Sequence, residues 1–456
     1  IAFLISANSD LLQSLERKAY DLGVRATSRV PSDKIAVIAI DDQSIANLGR
    51  WPWPRAIQAQ LLDVLSTGQA KVVGNTVLFF EPQVDPGLKY ITRLGTLLDA
   101  SSLKLSTNTA HQSDLAQLDS LILEATQHLD NDQKLSASLI QAGNVMLSQF
   151  FDLGESQGRP GQALPDYVIK SRLTRIKDPA GLGAAGSLPF SAASIQFPVA
   201  ALGSGAVGIG HLNVTPDVDG GIRTEPLVIS YFDEYYPSLS LLLASKSLNL
   251  NPEDITVNLG MGVTAGKLSI ATDPALRMYP YFYGDRDGKP AFQPDSFYDV
   301  LTGRIPAEKY RDKIVLIGAT AAGVGAQQVT PVSAGMAPVM TLAHSVSSIL
   351  KQDFFVVPVW SVWAQIGTFF LVALYLVMLL PRLRAGLAAA ITFSLFAALL
   401  GMHFGLMTAQ AMWLPLMVPA TMLLAGHMLL TTKKFLMTEK GKQQADAESS
   451  ESNRML

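Results

Sequence analysis

Four charged residues stand at the ends of the first two predicted strands, or at the start of the helix between them: Asp41, Asp42, Arg55 and Glu81. Ligands of α/β proteins bind beyond the carboxyl ends of parallel strands, where carboxylates and guanidinium groups can hydrogen-bond to them. These four residues are therefore the candidate ligand-binding residues. Helix capping and buried ion pairs explain the same residues equally well.

Two short acidic turns have the pattern Asp-x-Asp-Gly, and their carboxylates are candidate calcium ligands: Asp217, Asp219, Asp285 and Asp287. In an EF-hand loop the glycine stands at the sixth position and a glutamate closes the loop, and neither feature is found here. Asp-Gly is also a strong turn signal. We favour structural turns and predict no metal site.

Other chemistry is excluded by residues that the chain lacks. It contains no cysteine, which rules out thiol catalysis, disulfides and iron–sulfur clusters. The glycine-rich segment 318–325 follows a predicted strand but has Val324 and Gly325 where a phosphate loop needs Lys and Ser or Thr. Neither Gly-x-Ser-x-Gly nor His-Glu-x-x-His occurs. We predict no catalytic residue and no cofactor.

The elements that position the four charged residues form an α/β unit. Apolar runs at 34–40 and 71–80 are rich in β-branched residues and predict buried strands, and apolar residues at helical spacing over 56–67 predict the helix between them. A similar apolar run at 313–318 predicts that the end of the domain completes the same mixed sheet. Trp51 and Trp53 flank this helix start, and we favour a core position for them over a ligand wall.

The last hundred residues have the pattern of a membrane region. Between Asp353 and Lys433 the formally charged residues are Arg382 and Arg384. The uncharged stretch after Arg384 would be about 70 Å long as one helix, more than twice the bilayer core, so it must fold back near Thr408. The sequence predicts three transmembrane helices: about 359–380, 385–407 and 411–432.

Cations indicate the orientation of these helices. Arg382 and Arg384 lie in the connection between the first two predicted spans. The four lysines after the third span are Lys433, Lys434, Lys440 and Lys442, whereas the turn near Thr408 contains no cation. By the positive-inside rule, the arginine connection and the tail are cytoplasmic and the large N-terminal region is outside. The expected layout is the end of a truncated N-terminal membrane helix, an extracytoplasmic domain, three spans and a cytoplasmic linker: 1–9, 10–352, 353–432 and 433–456.

Two features concern partners. The net charge of −3 gives no electrostatic case for nucleic acid. Gly401 and Gly405 have the small-xxx-small spacing that lets membrane helices approach closely, which makes them a candidate helix contact.

His403 and His427 lie at opposite ends of predicted spans, so haem ligation by both is excluded and hydrogen bonding between helices is favoured.

Several ordered motifs resemble the type 2 CHASE family, a family of extracytoplasmic sensor domains of bacterial receptors. They are Ile38-Ala-Ile-Asp-Asp-Gln-Ser44, Gly49-Arg-Trp-Pro-Trp-Pro-Arg55, Gly210-His-Leu-Asn-Val-Thr-Pro-Asp-Val-Asp-Gly220 with Arg223, Pro237-Ser-Leu-Ser240 and Lys313-Ile-Val-Leu-Ile-Gly-Ala-Thr320. The resemblance implies an α/β sensor domain outside the bacterial inner membrane, with one span before it and three after it.

The resemblance also implies a function. We expect the chain to be the sensory and transmembrane portion of a receptor that detects an unidentified small-molecule or protein stimulus, forms a homodimer and relays the signal to a cytoplasmic output. A serine/threonine kinase is the favoured output, and a nucleotide cyclase or histidine kinase is the alternative. The competing function is a membrane-anchored extracytoplasmic enzyme or a structural membrane protein without an output.

Overall fold

The computed structural model describes residues 10–105, 108–155, 158, 163–178, 181–182, 189–286 and 288–455. The predicted end of an N-terminal membrane helix, residues 1–9, lies outside them. The chain forms two compact units, one of Arg29–Phe354 and the other of Ile1–Ser28 with Phe355–Leu456. We call the first the sensor unit and the second the helical unit.

The α-helices of the described residues, in chain order, are α1 (Asp10–Arg25), α2 (Asp42–Leu48), α3 (Arg55–Thr67), α4 (Pro86–Asp99), α5 (Thr109–Leu129), α6 (Asn131–Ala142), α7 (Asp166–Ile169), α8 (Ala200–Gly203), α9 (Leu239–Ser247), α10 (Phe297–Leu301), α11 (Pro338–Lys351), α12 (Ser361–Leu374), α13 (Ala385–Gln410) and α14 (Met417–Met455). Short 3₁₀ or π turns are Ser102–Leu105, Pro252–Asp254, Ala307–Tyr310, Tyr375–Leu379 and Leu380–Arg382.

The strands of the same residues are β1 (Ile35–Ile40), β2 (Val72–Asn75), β3 (Val145–Leu153), β4 (Arg175–Lys177), β5 (Ala192–Gln196), β6 (Gly208–His211), β7 (Glu225–Pro226), β8 (Val228–Tyr231), β9 (Glu234–Pro237), β10 (Ile255–Asn258), β11 (Gly262–Ala265), β12 (Leu268–Ala271), β13 (Arg277–Pro280), β14 (Pro294–Ser296), β15 (Ile314–Ala319), β16 (Gln328–Thr330), β17 (Ser333–Met336) and β18 (Phe354–Phe355).

The sensor unit is built on a mixed sheet, which confirms the predicted α/β class. Within the described part of the chain this sheet has seven strands in the order β14-β1-β15-β2-β3-β5, with β6 also paired to β3. Strand β15 lies between β1 and β2, with Ile38 opposite Ile317 and Val73 opposite Val315. All of the neighbours are parallel except β3 and β5. The early and late parts of the domain therefore complete one sheet.

Helices cover both faces of this sheet. On one face, Ile38, Leu61 and Leu139 belong to a single buried cluster that joins β1 to α3 and α6. On the other face, Gly74 packs against Leu243 of α9, because a Cβ at position 74 would lie 2.6 Å from a methyl group of that leucine. A parallel sheet buried on both faces explains why β1, β2 and β15 read as continuous apolar runs.

The second predicted strand is shorter than its apolar run. The run 71–80 contains β2 only over Val72–Asn75. The Asn75 side chain accepts a hydrogen bond from the backbone N–H of Val77 at 3.0 Å and so turns the chain just after the strand. Residues 77–83 therefore leave the sheet and form part of a groove.

The helical unit contains two helices that are long and apolar enough to cross a membrane, Ser361–Arg382 and Ala385–Gln410. They coincide closely with the first two predicted spans. Polar groups link the helices: Thr392 Oγ1 lies 2.8 Å from both Tyr375 Oη and His427 Nδ1. The predicted role of His427 in hydrogen bonding between helices is thus observed.

The third predicted span, 411–432, does not pass the same test of length and hydropathy among the described residues. Residues 411–416 are not helical, and α14 begins only at Met417. Pro415 favours a helix start close behind it rather than before it. The uncharged part of α14 is short because it ends before Lys433, and it contains the polar side chain of His427. The structure therefore supports two candidate spans and does not confirm the third.

Candidate ligand-binding groove

A tryptophan-rich turn forms one wall of a groove at the carboxyl end of β2. Trp53 is buried, and its Nε1 donates a hydrogen bond to the Gly49 carbonyl oxygen at 2.8 Å. Its ring packs against Phe297 and Trp51, with both centroids 5.0 Å away. Trp53 thus has the expected core position, whereas Trp51 stays partly exposed and lines the groove.

The segment that leaves β2 forms the other wall. The groove has a volume of about 440 Å³, which lies within the range of small-molecule sites. Its position beyond the end of a parallel strand is where α/β proteins commonly bind ligands. The lining residues are Trp51, Pro52, Trp53, Arg55, Gln58, residues 77–83 and Gln196.

Arg55 holds the two walls together. Its guanidinium group donates to the Asp132 carboxylate and to the Glu81 carbonyl oxygen. It also lies over the Phe79 ring at 5.3 Å from the centroid. The Asp132 carboxylate accepts the backbone N–H of Gln83 at 3.2 Å as well. Arg55 is therefore a buried, paired charge that fixes the groove, and its charge is already balanced.

The four predicted ligand residues do not all meet. Arg55 and Glu81 both line the groove, where Glu81 contributes its backbone and has an exposed side chain. Asp41 instead caps α2, accepting from Ser44 N at 2.8 Å and from Ser296 Oγ at 3.0 Å. Asp42 is exposed in the first turn of α2. Asp41 and Asp42 are not part of the groove lining.

Four buried polar side chains form a layer on α3, β2, β3 and β6: Gln58, Asn75, Gln149 and His211. We call it the polar layer. Gln58 lines the groove and its Oε1 is 3.5 Å from Asn75 Nδ2. Gln149 and His211 are partners in the parallel register of β3 and β6, which places them side by side on one face.

Several atoms of the polar layer have no hydrogen-bond partner among the described residues: Gln58 Nε2, both amide atoms of Gln149 and both ring nitrogens of His211. Burial lowers the pKa of His211 to about 3, so its imidazole is neutral at ordinary pH. Buried polar groups without protein partners normally bind water or a polar ligand. Sequence reasoning missed this layer, although the Gly210-His-Leu-Asn motif contained its histidine.

An arginine organises the first of the two acidic turns. Arg223 Nη1 lies 2.7 Å from Asp217 Oδ2 and 2.8 Å from Asp219 Oδ1. Both carboxylates thus have a cationic partner within the chain. Asp285 is exposed, and Asp287 lies outside the described residues. In the part of the chain that the structure describes, no group of three or more His, Asp or Glu side chains is arranged to hold a metal ion.

The predicted membrane contact lies on an open helix face. Gly401 and Gly405 are both in α13, and a Cβ added at either position would meet no other atom of the described chain within 4 Å. The backbone at these positions is thus accessible. By contrast, Gly426 of α14 packs against Leu376, 2.4 Å from where its Cβ would stand.

Comparison with known proteins identifies the family. The model of the CHASE2 domain matches residues 1–380. No curated protein matches the chain, and no solved structure matches it. The match covers the whole sensor unit, including the groove and the polar layer. The chain belongs to the CHASE2 domain family of extracytoplasmic sensor domains.

Proposed function

We propose that this chain is the sensory and transmembrane portion of a bacterial signalling receptor. It detects a stimulus outside the inner membrane and relays it to an output in the cytoplasm. The observation that carries the proposal is the presence, on one chain, of a CHASE2 sensor domain and of two apolar helices that can cross a membrane. CHASE2 domains generally serve signalling receptors.

The proposed orientation places the sensor unit in the periplasm and the C-terminal end of α14 in the cytoplasm. The positive-inside rule supports it, because Arg382 and Arg384 lie in one connection and Lys433 and Lys434 follow the last apolar stretch. With both cationic segments inside, the apolar start of α14 must return through the bilayer. We therefore retain a third span within 411–432 as part of the proposal.

The groove is the proposed site of the stimulus. Its only buried cation, Arg55, is neutralised by Asp132, so it has no free charge with which to attract an anion. Trp51 supplies a partly exposed aromatic surface, and Gln58 supplies an amide from the polar layer. These features favour a small, uncharged molecule with both apolar and hydrogen-bonding groups.

The relay proposed for this receptor runs through α14. That helix continues from Met417 to Met455 and therefore extends well beyond its apolar part. A change in the helical unit would pass along it to a cytoplasmic output. A serine/threonine kinase is the favoured output, because residues 431–456 resemble the connection in family members that carry such a kinase. A nucleotide cyclase or a histidine kinase is the alternative.

A homodimer completes the proposal. A symmetric pair of chains offers an interface with two packings, which a single chain lacks. The open face around Gly401 and Gly405 supports a contact between two copies of α13.

The test of the proposal uses the absence of native cysteine. We would introduce Ser113→Cys in the exposed helix α5 and, separately, Gly441→Cys in the exposed part of α14. In whole cells with a permeable outer membrane, an impermeant maleimide should label the first variant and label the second only after lysis. Labelling of both from the same side would contradict the receptor arrangement.

A further inference from the structure

A second, smaller cavity lies inside the sensor unit and shares no lining residue with the groove. Its volume is about 50 Å³. Four of the residues that line this cavity come from distant parts of the chain. Thr76 lies at the end of β2, Glu225 lies in β7, and Thr341 and Ser345 lie in α11. A single water needs about 10–15 Å³ of such space, so the cavity has room for an ion with a few waters but not for a drug-sized molecule.

Glu225 is the acidic residue of the cavity lining. Ser240 Oγ donates a hydrogen bond to Glu225 Oε1 at 2.5 Å, and the hydroxyl groups of Ser238 and Ser345 also lie beside the carboxyl group. Glu225 Oε2 is shielded from solvent and has no hydrogen-bond partner among the described residues. Since Ser345 also lines the cavity, this carboxyl group lies at the cavity wall.

No cation of the described chain neutralises Glu225. Arg223, its nearest basic neighbour in sequence, is bound to Asp217 and Asp219. Burial raises the pKa of Glu225, and the serine hydroxyl groups act against this by stabilising the ionised form. A buried carboxylate is costly unless a positive charge accompanies it. The chain supplies hydrogen-bond donors for the ionised form but no counter-charge.

The rest of the cavity wall supplies neutral oxygen atoms. Hydroxyl groups come from Thr76, Thr224, Thr341 and Ser345, and Gln328 supplies an amide whose Oε1 already accepts from Thr341 at 2.6 Å. His211 also lines the cavity, with a neutral imidazole. Oxygen atoms are the ligands preferred by hard cations. One carboxylate balances one positive charge, whereas a divalent ion would leave an uncompensated charge inside the protein.

We propose that this cavity binds one small monovalent cation, of the class of Na⁺, K⁺ or ammonium, through the Glu225 carboxylate and the hydroxyl oxygens around it. The bound ion links β7 to α11 and so stabilises the sensor unit. This site is independent of the groove and of the proposed receptor function.

The experiment measures the thermal unfolding midpoint of the purified full chain in detergent. NaCl, KCl and NH₄Cl are titrated separately against N-methylglucamine chloride at matched ionic strength. At least one small cation should raise the midpoint in a saturable manner, whereas the bulky cation should not, because ligands that bind only the folded state stabilise it. In Glu225→Gln, which keeps the side-chain shape, the apparent affinity should fall about tenfold or more.

Two further variants test whether the cation effect depends on this cavity. Glu234→Gln makes the same change at a carboxylate whose side chain is 43% exposed and should leave the cation effect intact. Ser345→Ala removes one hydroxyl group of the wall and should weaken the effect even if Glu225→Gln does not fold. Equal shifts with all four salts, or a saturable shift that is unchanged in Glu225→Gln and Ser345→Ala, would overturn the proposal.

Discussion

The carboxyl group of Glu16 accepts a hydrogen bond from the backbone N–H of Met417 at 2.9 Å, joining residues that stand 401 positions apart in the sequence. Met417 is the first residue of α14, whose first N–H groups have no partner within the helix. Trp413 Nε1 approaches the other carboxyl oxygen at 3.4 Å. Glu16 of α1 therefore caps the helix that leads to the C-terminal end of the chain.

The burial of Glu16 predicts a pH-dependent stability. Burial raises the pKa of Glu16 from 4.5 to about 7, so its contribution to stability is fully present below about pH 4.5 and is lost as the pH rises through about 7. The loss is on the order of 3 kcal/mol. The thermal unfolding midpoint of the full chain should therefore fall over this pH range, and the fall should be smaller in Glu16→Gln.

His403 is a second titratable group close to Glu16, with Nδ1 at 4.0 Å from Glu16 Oε1. The variant His403→Gln is therefore the control for this experiment. If Glu16 carries the effect, His403→Gln keeps a fall in the midpoint between about pH 4.5 and about pH 7. Identical pH profiles for wild type and Glu16→Gln would refute the assignment.

The Arg55–Asp132 pair should matter more than an exposed ion pair. Both side chains are mostly buried, with 10% and 14% exposed. Asp132→Asn leaves the Arg55 charge uncompensated and should lower the free energy of unfolding by about 3 kcal/mol. Glu234→Gln breaks the exposed pair with Arg172 and should cost less than about 1 kcal/mol. Urea unfolding followed by tryptophan fluorescence compares the two, and equal losses would show that Arg55 does not hold the groove.

The open glycine face predicts an effect on association. Replacing both Gly401 and Gly405 with leucine should weaken self-association, because the larger side chains keep the helix backbones apart. Gly386→Leu adds the same side chain at another open position of α13 and should associate as the wild type does. Light scattering in detergent measures the mass. A monomeric wild type would refute the dimer, and a double variant that associates unchanged would refute this helix contact.

The sequence was most informative where structure depends on nearby residues. The strand Ile35–Ile40, the helix Arg55–Thr67 and the strand Ile314–Ala319 follow apolar patterns that are visible in short windows. The strand at 313–318 was expected to complete the same sheet, although its place between β1 and β2 was not predicted. Arg55 and Glu81 lie together at the groove, because both flank the same strand–helix–strand unit, and their role in ligand binding stays a prediction.

The rest depended on contacts between distant segments. The polar layer exists because the register of β3 and β6 places Gln149 beside His211, and register cannot be read from either strand alone. Asp41 was a candidate for ligand binding or for helix capping; it caps α2, and its carboxylate also accepts a hydrogen bond from Ser296 of a distant strand. The start of α14 was placed too early because hydropathy alone does not show where Pro415 and the cap from Glu16 allow a helix to begin.

In the proposed receptor, occupation of the groove is relayed to the tail of α14. A small molecule attached covalently inside the groove, in place of the unidentified ligand, tests this relay. Gln196 lines the groove and is exposed, so Gln196→Cys in the cysteine-free chain can be modified with N-benzylmaleimide. Hydrogen–deuterium exchange of residues 433–446 is then measured in nanodiscs. The same adduct on Ser113→Cys, in the exposed helix α5, is the matched control.

The adduct at position 196 should change the exchange rates of residues 433–446 by about twofold or more, while the adduct at position 113 should leave them unchanged. A change confined to residues 77–83 around the groove, with the tail unaffected, would contradict the proposed relay.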